Sequence, residues 1–402
     1  MDDADLSRPA SAPGLALSPP KRPIPRVFFG LNVNHMHDAP GFLWPVVDFG
    51  AFRTWDSGDI WAHIEPDRGV YHWADLDRDV QQAAVHHVQF MLTLGQTPVW
   101  ASADPTTPSV YGPGLGAPPK DIGDWKAFVR AVATRYKGRI QAYEVWNEPD
   151  QNFYTGTPAQ LVSLENATAE VLKQVDPAAF VVAPAVSGGN SAPALKWYDD
   201  YLGAGGGRAA DVIAYHLYND QAETDIQAIA AFRELLKAHH LDRKPVWNTE
   251  SGLDRAGHTE EQGAAFVARE HIIDWALGLN RLYFYAYDNE GYFGLDKSIG
   301  PVRDAADLGP SGLAYRQVQR WLLGARMLSC ASDAQGTWTC ALLRPGGIRA
   351  WIVWNTNGPQ AFAVPAAWHI GSRQDLMGSS APVSSDTVPL GIQPILLEPL
   401  DK

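Results

Sequence analysis

Two glutamates in this sequence, Glu148 and Glu250, each end a short apolar run. The first run, Gln141-Ala-Tyr-Glu-Val-Trp-Asn-Glu-Pro149, closes on an Asn-Glu-Pro corner. Pro149 has a fixed φ and no amide N–H, and it biases the preceding residue away from helical geometry, so a strand must stop there. The second run, Pro245-Val-Trp-Asn-Thr-Glu250, repeats the pattern. Both runs predict a carboxylic acid held at the carboxyl end of a buried strand.

Two carboxyl groups in unlike surroundings are what cleavage of a glycosidic bond requires. One is protonated to assist the leaving oxygen, and the other is ionised to attack or to activate water. We expect Glu148 to be the general acid and later the base, with a pKa raised to roughly 6 to 7. Glu250 is then the nucleophile that forms an ester with the sugar. When anomeric configuration is retained, the two groups stand about 5 to 5.5 Å apart.

Eight short apolar strands must position these acids, and helical segments separate nearly all of them. Helix starts are marked by Thr157 with Pro158, and by the capping-box pair Thr259 and Gln262. This alternation is typical of an α/β fold of the (β/α)8 TIM barrel type, in which active sites lie at the carboxyl ends of the strands. A doubly wound open sheet is the alternative, although the strands lack a glycine-rich phosphate turn. The predicted strands cover 26–34, 49–56, 88–95, 141–148, 180–184, 211–218, 245–250 and 281–287.

The pattern changes to short alternating runs near residue 326, which predicts an antiparallel β unit. We therefore expect a (β/α)8 catalytic barrel over 26–325 and a small β-sandwich-like accessory domain over 326–402. Residues 1–25 are rich in Pro, Ala and Ser and lack the apolar core of an export signal. They predict a flexible leader.

The two cysteines, Cys330 and Cys340, fit opposite arms of a hairpin, where they could form a disulfide. Two unpaired buried thiols are the alternative. A disulfide would favour an oxidising compartment, and hence a periplasmic or secreted protein.

Composition narrows the classes of partner. The 402 residues carry a net charge of −13, which disfavours nucleic acid as a partner, and they contain no apolar run of membrane-spanning length. The 15 tryptophans suit a core and also stacking on sugar rings. The histidine pairs have no third ligand at convincing spacing, so we expect no metal, and we expect no cofactor.

The motifs around the two glutamates resemble those of a known group of enzymes. The Asn147-Glu148-Pro149 corner and Glu250 resemble the acid/base and the nucleophile of clan A retaining glycoside hydrolases. The runs 93–102, 143–149, 215–218 and 245–252 resemble glycoside hydrolase family 39, which contains β-xylosidases, α-L-iduronidases and exopolysaccharide-cleaving endoglycosidases. The run Gln96-Thr-Pro-Val-Trp-Ala-Ser102 is most similar to the exopolysaccharide-type members. The likeness covers about 26 to 325.

The resemblance implies a set of substrate-binding residues. Asn147 would bond the 2-hydroxyl of the sugar at the cleavage site, while His216 and Tyr218 would lie under Glu250 and orient it. The remaining residues would line the wall of the site (His35, Arg53 and Trp55) or stack on sugar rings (Trp100 and Tyr287, with Tyr285 and Trp247 as weaker candidates). Arg53 has a structural alternative, the neutralisation of glutamates such as Glu144, which shares the strand parity of Glu148 and is expected to point into the barrel.

These observations favour a retaining glycoside hydrolase that acts on a polysaccharide or oligosaccharide. An endo-acting enzyme on exopolysaccharide is the first hypothesis, and an exo-acting β-xylosidase is the nearest alternative. A carbohydrate-binding protein without catalysis is the alternative of another class. The two carboxylates together with Asn147 disfavour it.

Overall fold

The computed structural model describes residues 14–35, 44–187, 191–289, 291–296 and 307–399. Its strands are β1 (Ala16–Leu17), β2 (Phe29–Asn32), β3 (Ala51–Thr54), β4 (Gln89–Leu94), β5 (Ile140–Val145), β6 (Phe180–Val182), β7 (Ile213–His216), β8 (Val246–Ser251), β9 (Arg281–Phe284), β10 (Arg326–Ser332), β11 (Thr337–Leu343), β12 (Arg349–Asn355), β13 (Gln360–Ala363), β14 (Ile370–Gln374), β15 (Ser380–Pro382), β16 (Thr387–Leu390) and β17 (Ile395–Pro399). Its α-helices are α1 (Trp61–Ile64), α2 (Ala74–Val85), α3 (Ile122–Arg135), α4 (Pro158–Val175), α5 (Ala192–Gly203), α6 (Asp225–Ala238), α7 (Glu260–Ala276) and α8 (Pro310–Leu322).

Strands β2 to β9 form one parallel sheet in the order β6-β5-β4-β3-β2-β9-β8-β7. A parallel bridge between Val182 and Val212 joins the two edge strands, so the sheet curls into a nearly closed barrel. Helices follow the strands from β3 onward and cover the outside. The fold is therefore the predicted (β/α)8 barrel, and the alternative of an open doubly wound sheet is wrong.

Helices α4 and α7 begin where the sequence predicts. The Thr157 side chain accepts a hydrogen bond from the Gln160 amide, and the Gln160 side chain bonds back to Thr157. Thr259 and Gln262 form the same capping box. Each box satisfies amide groups that a helix start leaves without partners.

The interior of the barrel has an apolar layer, and a charged layer lies nearer the carboxyl ends of the strands. Side chains alternate along a strand, so residues two apart face the same side. Ala51, Met91 and Ala142 belong to a buried apolar cluster. Two residues further along the same strands stand Arg53, Thr93 and Glu144, all fully buried, and Arg53 and Thr93 both donate hydrogen bonds to Glu144. The charged layer lies on the side of the strands' carboxyl ends, where a barrel carries its active site.

An antiparallel β unit packs beside the barrel, as predicted. Its main sheet has the order β1-β10-β11-β12-β17-β14-β15, and β13 pairs with β16 in a second, smaller sheet. Alternate residues of β12 serve two cores: Ile352 and Trp354 join the core shared with the barrel, while Trp351 and Val353 face the smaller sheet. Residue 326 is the first residue of β10, and the division into domains at that point stays a prediction.

The prediction of a flexible leader over 1–25 is wrong for its described part. Ala16 and Leu17 pair with Ala331 and Cys330 and so extend the main sheet of the β unit. Ile24 is buried, and its amide donates a hydrogen bond to the Ala325 carbonyl at 2.9 Å. The Pro-rich composition gave no sign of the short strand β1, which pairs with the edge of β10. Residues 1–13 lie outside the described residues.

Cys330 and Cys340 lie directly opposite each other in the β10–β11 pair and are joined by a disulfide. None of the described helices has the length and apolar composition needed to cross a membrane.

Candidate active site

Arg53 lies at the centre of the polar cluster at the mouth of the barrel. Its Nε group donates to Glu144 at 2.7 Å, one terminal nitrogen donates to Glu250 at 2.5 Å and to Asn32 at 3.1 Å, and the other donates to Asn147 at 2.6 Å. A buried guanidinium is tolerated because these partners supply compensating charge and acceptors. The structural role weighed for Arg53, the neutralisation of Glu144 and Glu250, fits this geometry, and its role in lining the substrate wall stays a prediction.

Glu250 reaches the mouth through an irregularity in β8. Tyr215 pairs with Asn248 and His216 pairs with Glu250, so Thr249 is an extra residue in the ladder. Strict alternation from the inward-facing Trp247 would turn Glu250 outward, and the bulge re-aims it. Both of its oxygens are held: Oε1 accepts from Arg53, and Oε2 accepts from the Tyr218 hydroxyl at 2.7 Å.

Glu148 reaches the same space through a distorted turn after β5. Trp146 has a φ of +74° and Glu148 a φ of +42°, both in the left-handed region that side chains other than glycine rarely adopt. The turn places Asn147 against Arg53 and Glu148 against His216, so both side chains face the mouth. Such strain is characteristic of positions where function fixes the backbone.

The two glutamates are close. One carboxylate oxygen of each, together with a ring nitrogen of His216, lies within 4.8 Å of the others. His216 Nδ1 is 2.8 Å from Glu148 Oε1 and 3.6 Å from Glu250 Oε2, and its Nε2 is 3.1 Å from the Thr249 hydroxyl. His216 therefore lies beside Glu250, as expected, but its hydrogen bond is to Glu148, and its role in orienting Glu250 stays a prediction.

The surroundings of Glu148 and Glu250 shift the pKa values of these two acids in opposite directions. Burial raises the pKa of Glu148, and the hydrogen bond and charge of His216 only partly offset this rise. Burial would also raise the pKa of Glu250, but the charges of His216 and Arg53 and the hydrogen bond from Tyr218 outweigh it, so the pKa of Glu250 is lowered. Burial lowers the pKa of His216, yet the two glutamates raise it more. A neutral acid beside an ionised one is the distribution that acid and nucleophile roles need.

Within the described part of the chain, Glu148, His216 and Glu250 are the one group of ligand-type side chains close enough to hold a metal ion. Both oxygens of Glu250 already accept hydrogen bonds, and the charge of Arg53 would repel a cation. The arrangement therefore suits proton transfer and nucleophilic attack better than metal binding.

Of the predicted substrate-binding residues, four belong to this cluster: Arg53, Asn147, His216 and Tyr218. Trp55 and His35 lie on the flanking wall. The Trp55 indole donates to the Tyr111 hydroxyl at 2.6 Å, and the His35 amide donates to Asp288 at 3.1 Å.

Both predicted stacking platforms make packing contacts within the protein, and stacking on a sugar stays a prediction for the partly buried Trp100. Tyr287 is 4% exposed, and its hydroxyl accepts a hydrogen bond from the Val46 amide, so its ring is part of the core. The Trp100 indole donates to the Glu65 carbonyl at 3.0 Å, and the Arg68 guanidinium covers its ring. The Tyr287 ring belongs to the buried core, and the partly buried Trp100 ring packs against that core.

Sequence reasoning also missed residues of the site. Asn32 and Thr249 support Arg53 and His216, and Asp56 accepts a hydrogen bond from the Tyr285 hydroxyl at 2.6 Å. Asp56 is an acid that follows the second predicted barrel strand, and this position could have predicted that it belongs to the site.

Comparison with known proteins gives the family of this chain. A family described as "Glycosyl hydrolase catalytic core" matches residues 70–289, more than half of the chain. The β-xylosidase of Geobacillus stearothermophilus is 29% identical over 251 residues, which are 53% of this chain and 49% of that enzyme. The chain thus spans about half the length of this curated relative.

Solved structures show the same fold at low sequence identity. A family 39 glycoside hydrolase from the gut symbiont Bacteroides cellulosilyticus WH2 has a TM-score of 0.75 at 18% identity, over 94% of this chain and 81% of that one. A monomeric β-xylosidase from Caulobacter crescentus CB15 has a TM-score of 0.64 at 16% identity, over 96% and 98%. The class defined by the barrel and the matched family is that of the glycoside hydrolases. The chain belongs to the glycosyl hydrolase catalytic core family.

Proposed function

We propose that this protein is a retaining β-glycoside hydrolase that cleaves a polysaccharide or oligosaccharide by double displacement. The observation that carries the proposal is the approach of Glu148 and Glu250 to within 4.8 Å at the mouth of the barrel. An approach this close between one oxygen of each acid favours the carboxyl separation of about 5 to 5.5 Å that double displacement needs over the roughly 6.5 to 9.5 Å of inverting enzymes.

In the first step Glu250 attacks the anomeric carbon, and the bond from that carbon to the leaving oxygen breaks. Glu148 gives its proton to that oxygen as the bond breaks. Arg53 and Tyr218 keep Glu250 ionised and aimed, and the raised pKa of Glu148 keeps its proton available.

In the second step water attacks the same carbon from the side that the leaving group vacated. Glu148, now ionised, takes a proton from that water, and Glu250 is released as a carboxylate. Once Glu250 is an ester, its negative charge no longer raises the pKa of Glu148, so Glu148 becomes a better base in the step that needs one.

We infer that the enzyme is endo-acting on an exopolysaccharide outside the cytoplasm. The resemblance of the run 96–102 to exopolysaccharide-cleaving members supports the substrate, and the Cys330–Cys340 disulfide supports the location. The β-xylosidase relative favours the second candidate, an exo-acting β-xylosidase. Released oligosaccharides from a bacterial exopolysaccharide, without cleavage of an aryl β-xyloside, would favour the endo-acting enzyme, and the reverse would favour the exo-acting one.

Azide tests the two roles separately. In Glu250→Ala, azide should attack the sugar directly and give a glycosyl azide of inverted configuration. In Glu148→Ala, azide should attack the glycosyl ester instead and give the retained azide, with activity only on aryl glycosides whose leaving group needs no proton. Normal turnover by either variant, or the same azide anomer from both, would overturn the assignment. A carbohydrate-binding protein would give no product at all.

A further inference from the structure

Asp56 is an exposed carboxylate beside the catalytic pair, and the mechanism above does not use it. It follows the carboxyl end of β3, three residues after Arg53. Its Oδ2 atom accepts a hydrogen bond from the Tyr285 hydroxyl at 2.6 Å. Its Oδ1 atom has no hydrogen-bond partner among the described residues. One acceptor oxygen is therefore held in place and the other is open to the solvent of the mouth.

Asp56 is tied to the nucleophile through two tyrosines. The Tyr285 ring packs edge-on against Tyr218 with their centroids 6.2 Å apart, and the Tyr218 hydroxyl bonds Glu250. The walls of the mouth raise the pKa of Asp56 by desolvation, and the negative charge of Glu250 raises it further. A sugar bound for attack by Glu250 would thus lie within the electrostatic field of Asp56.

Among the described residues, the guanidinium at this mouth, that of Arg53, is already engaged. An arginine has five N–H donors. Those of Arg53 are directed at Glu144, Glu250, Asn32 and Asn147. In the described ranges no other lysine or arginine side chain is hydrogen-bonded to Glu148, Glu250 or Asp56. Among the described residues, a substrate carboxylate would meet the acidic side chains of Glu148, Glu250 and Asp56, while Arg53 and His216 are already paired with glutamates.

We propose that Asp56 is a specificity-determining residue that accepts hydrogen bonds from the hydroxyl groups of an uncharged sugar and repels sugars that carry a carboxylate. The substrate class is then a neutral glycan rather than a polyuronate. The inference rests on the proposed hydrolase function. Ionised carboxylates form strong hydrogen bonds with hydroxyl donors, and like charges in a partly desolvated cleft discriminate between ligands that differ in one charge.

Matched substrates that differ only in a carboxylate test this proposal. One pair is 4-nitrophenyl β-glucoside and 4-nitrophenyl β-glucuronide. The other is an acidic bacterial polysaccharide and the same polymer after its carboxyl groups have been reduced to hydroxymethyl groups. The wild-type protein should cleave the neutral member of a pair at least about 10-fold faster, as expected when one charge-assisted hydrogen bond separates the two substrates.

Two variants distinguish recognition from a structural role. Asp56→Asn should raise KM for the neutral member roughly 10-fold, with a smaller change in kcat, and should reduce the preference for neutral over acidic substrate. Asp200→Asn, which removes the same charge from an exposed pair with Lys196 on α5, should leave the preference unchanged.

Each outcome decides the matter. Equal cleavage of both members by the wild-type protein, or an Asp56→Asn variant with an unaltered preference, would overturn the role of Asp56 while the hydrolase function stands. Cleavage of no substrate in either pair would overturn the proposed function and this inference together.

Discussion

Arg53 shows how single residues at this site serve stability and chemistry at once. It is fully buried, and its removal would leave Glu144 in the interior without this counter-charge and Glu250 with His216 alone. Breaking such a pair typically costs about 3 to 5 kcal/mol. We therefore expect Arg53→Met to lower the free energy of unfolding in urea by about that amount and to abolish activity.

Arg68→Met is the control for this prediction. Arg68 pairs with Asp124, but its side chain is 66% exposed, so its loss should cost no more than about 1 kcal/mol. Equal losses in the free energy of unfolding for the two variants would show that the buried ion pairs of Arg53 stabilise the fold no more than an exposed ion pair does.

The contact between His216 and Glu148 should affect how kcat/KM depends on pH. Burial raises the pKa of Glu148, while the hydrogen bond and charge of His216 lower it. Without His216 the pKa of Glu148 should rise further, so the acid should keep its proton to higher pH. We expect the alkaline limb of the pH profile of kcat/KM to move upward in His216→Asn.

His239→Asn is the matched control, because His239 contacts Asp199 on the surface. Its profile should match that of the wild-type protein. A downward movement of the limb in His216→Asn would contradict the assignment of Glu148 as the acid.

At the scale of elements, three buried acids lie behind β8, the strand of the nucleophile. Glu270 and Asp274 are on α7 and Asp225 begins α6, and Asp274 accepts a hydrogen bond from Asn248 of β8 at 2.9 Å. Burial raises the pKa of Asp274 to about 7, and burial together with neighbouring acids raises the pKa values of Glu270 and Asp225.

This cluster predicts a loss of stability as pH rises. The folded protein holds a proton on Asp274 that the unfolded chain releases near its ordinary pKa of about 4. The stabilising proton is fully present below about pH 4 and is lost as pH rises towards about 7. Relative to the wild-type protein, Asp274→Asn should therefore gain free energy of unfolding progressively over that range and then level off. A difference that stays constant with pH would contradict this.

The elements also show how far the sequence could predict the site. Alternation along β5 predicted that Glu144 points into the barrel, and the paired strand ends predicted the meeting of Glu148 with Glu250. The bulge at Thr249 and the left-handed turn at Trp146 could not be predicted, because both depend on neighbouring strands. The burial of Tyr287 could not be predicted for a related reason: an aromatic residue after a strand can pack inward or outward, and only tertiary contacts decide.

At the scale of the whole molecule, the β unit is bonded to the barrel. The Trp354 indole of β12 donates to Glu223 at 2.8 Å, and Glu223 also pairs with Arg269 of α7. Within the described residues the indole nitrogen of Trp351, on the opposite face of the same strand, is buried without a hydrogen-bond partner.

The two tryptophans give a matched test of this connection. Trp354→Phe and Trp351→Phe remove similar buried volume, but the first also breaks a hydrogen bond to a charged group, typically worth about 1.5 to 3 kcal/mol. We expect Trp354→Phe to lower the free energy of unfolding more than Trp351→Phe by roughly that amount. Equal losses would show that the contact between the β unit and the barrel depends on apolar packing alone.

The whole fold was easier to predict than its edges. Eight apolar runs that alternate with segments of helical periodicity predict a barrel. This prediction does not depend on the conformation of any one loop, because the pattern repeats along the chain. The N-terminal segment was misjudged because a two-residue strand such as Ala16–Leu17 leaves no period to detect, and its pairing with β10 is purely tertiary.

The central claim is that Glu250 captures the sugar covalently while Glu148 moves the proton. The most direct measurement is peptide mass spectrometry after treatment with 2,4-dinitrophenyl 2-deoxy-2-fluoro-β-glycosides of glucose and xylose. The fluorine disfavours the oxocarbenium-like transition states and lets the ester accumulate. The account predicts inactivation with one sugar attached to Glu250. A sugar on any other residue, or hydrolysis with inverted configuration and no attached sugar, would contradict it.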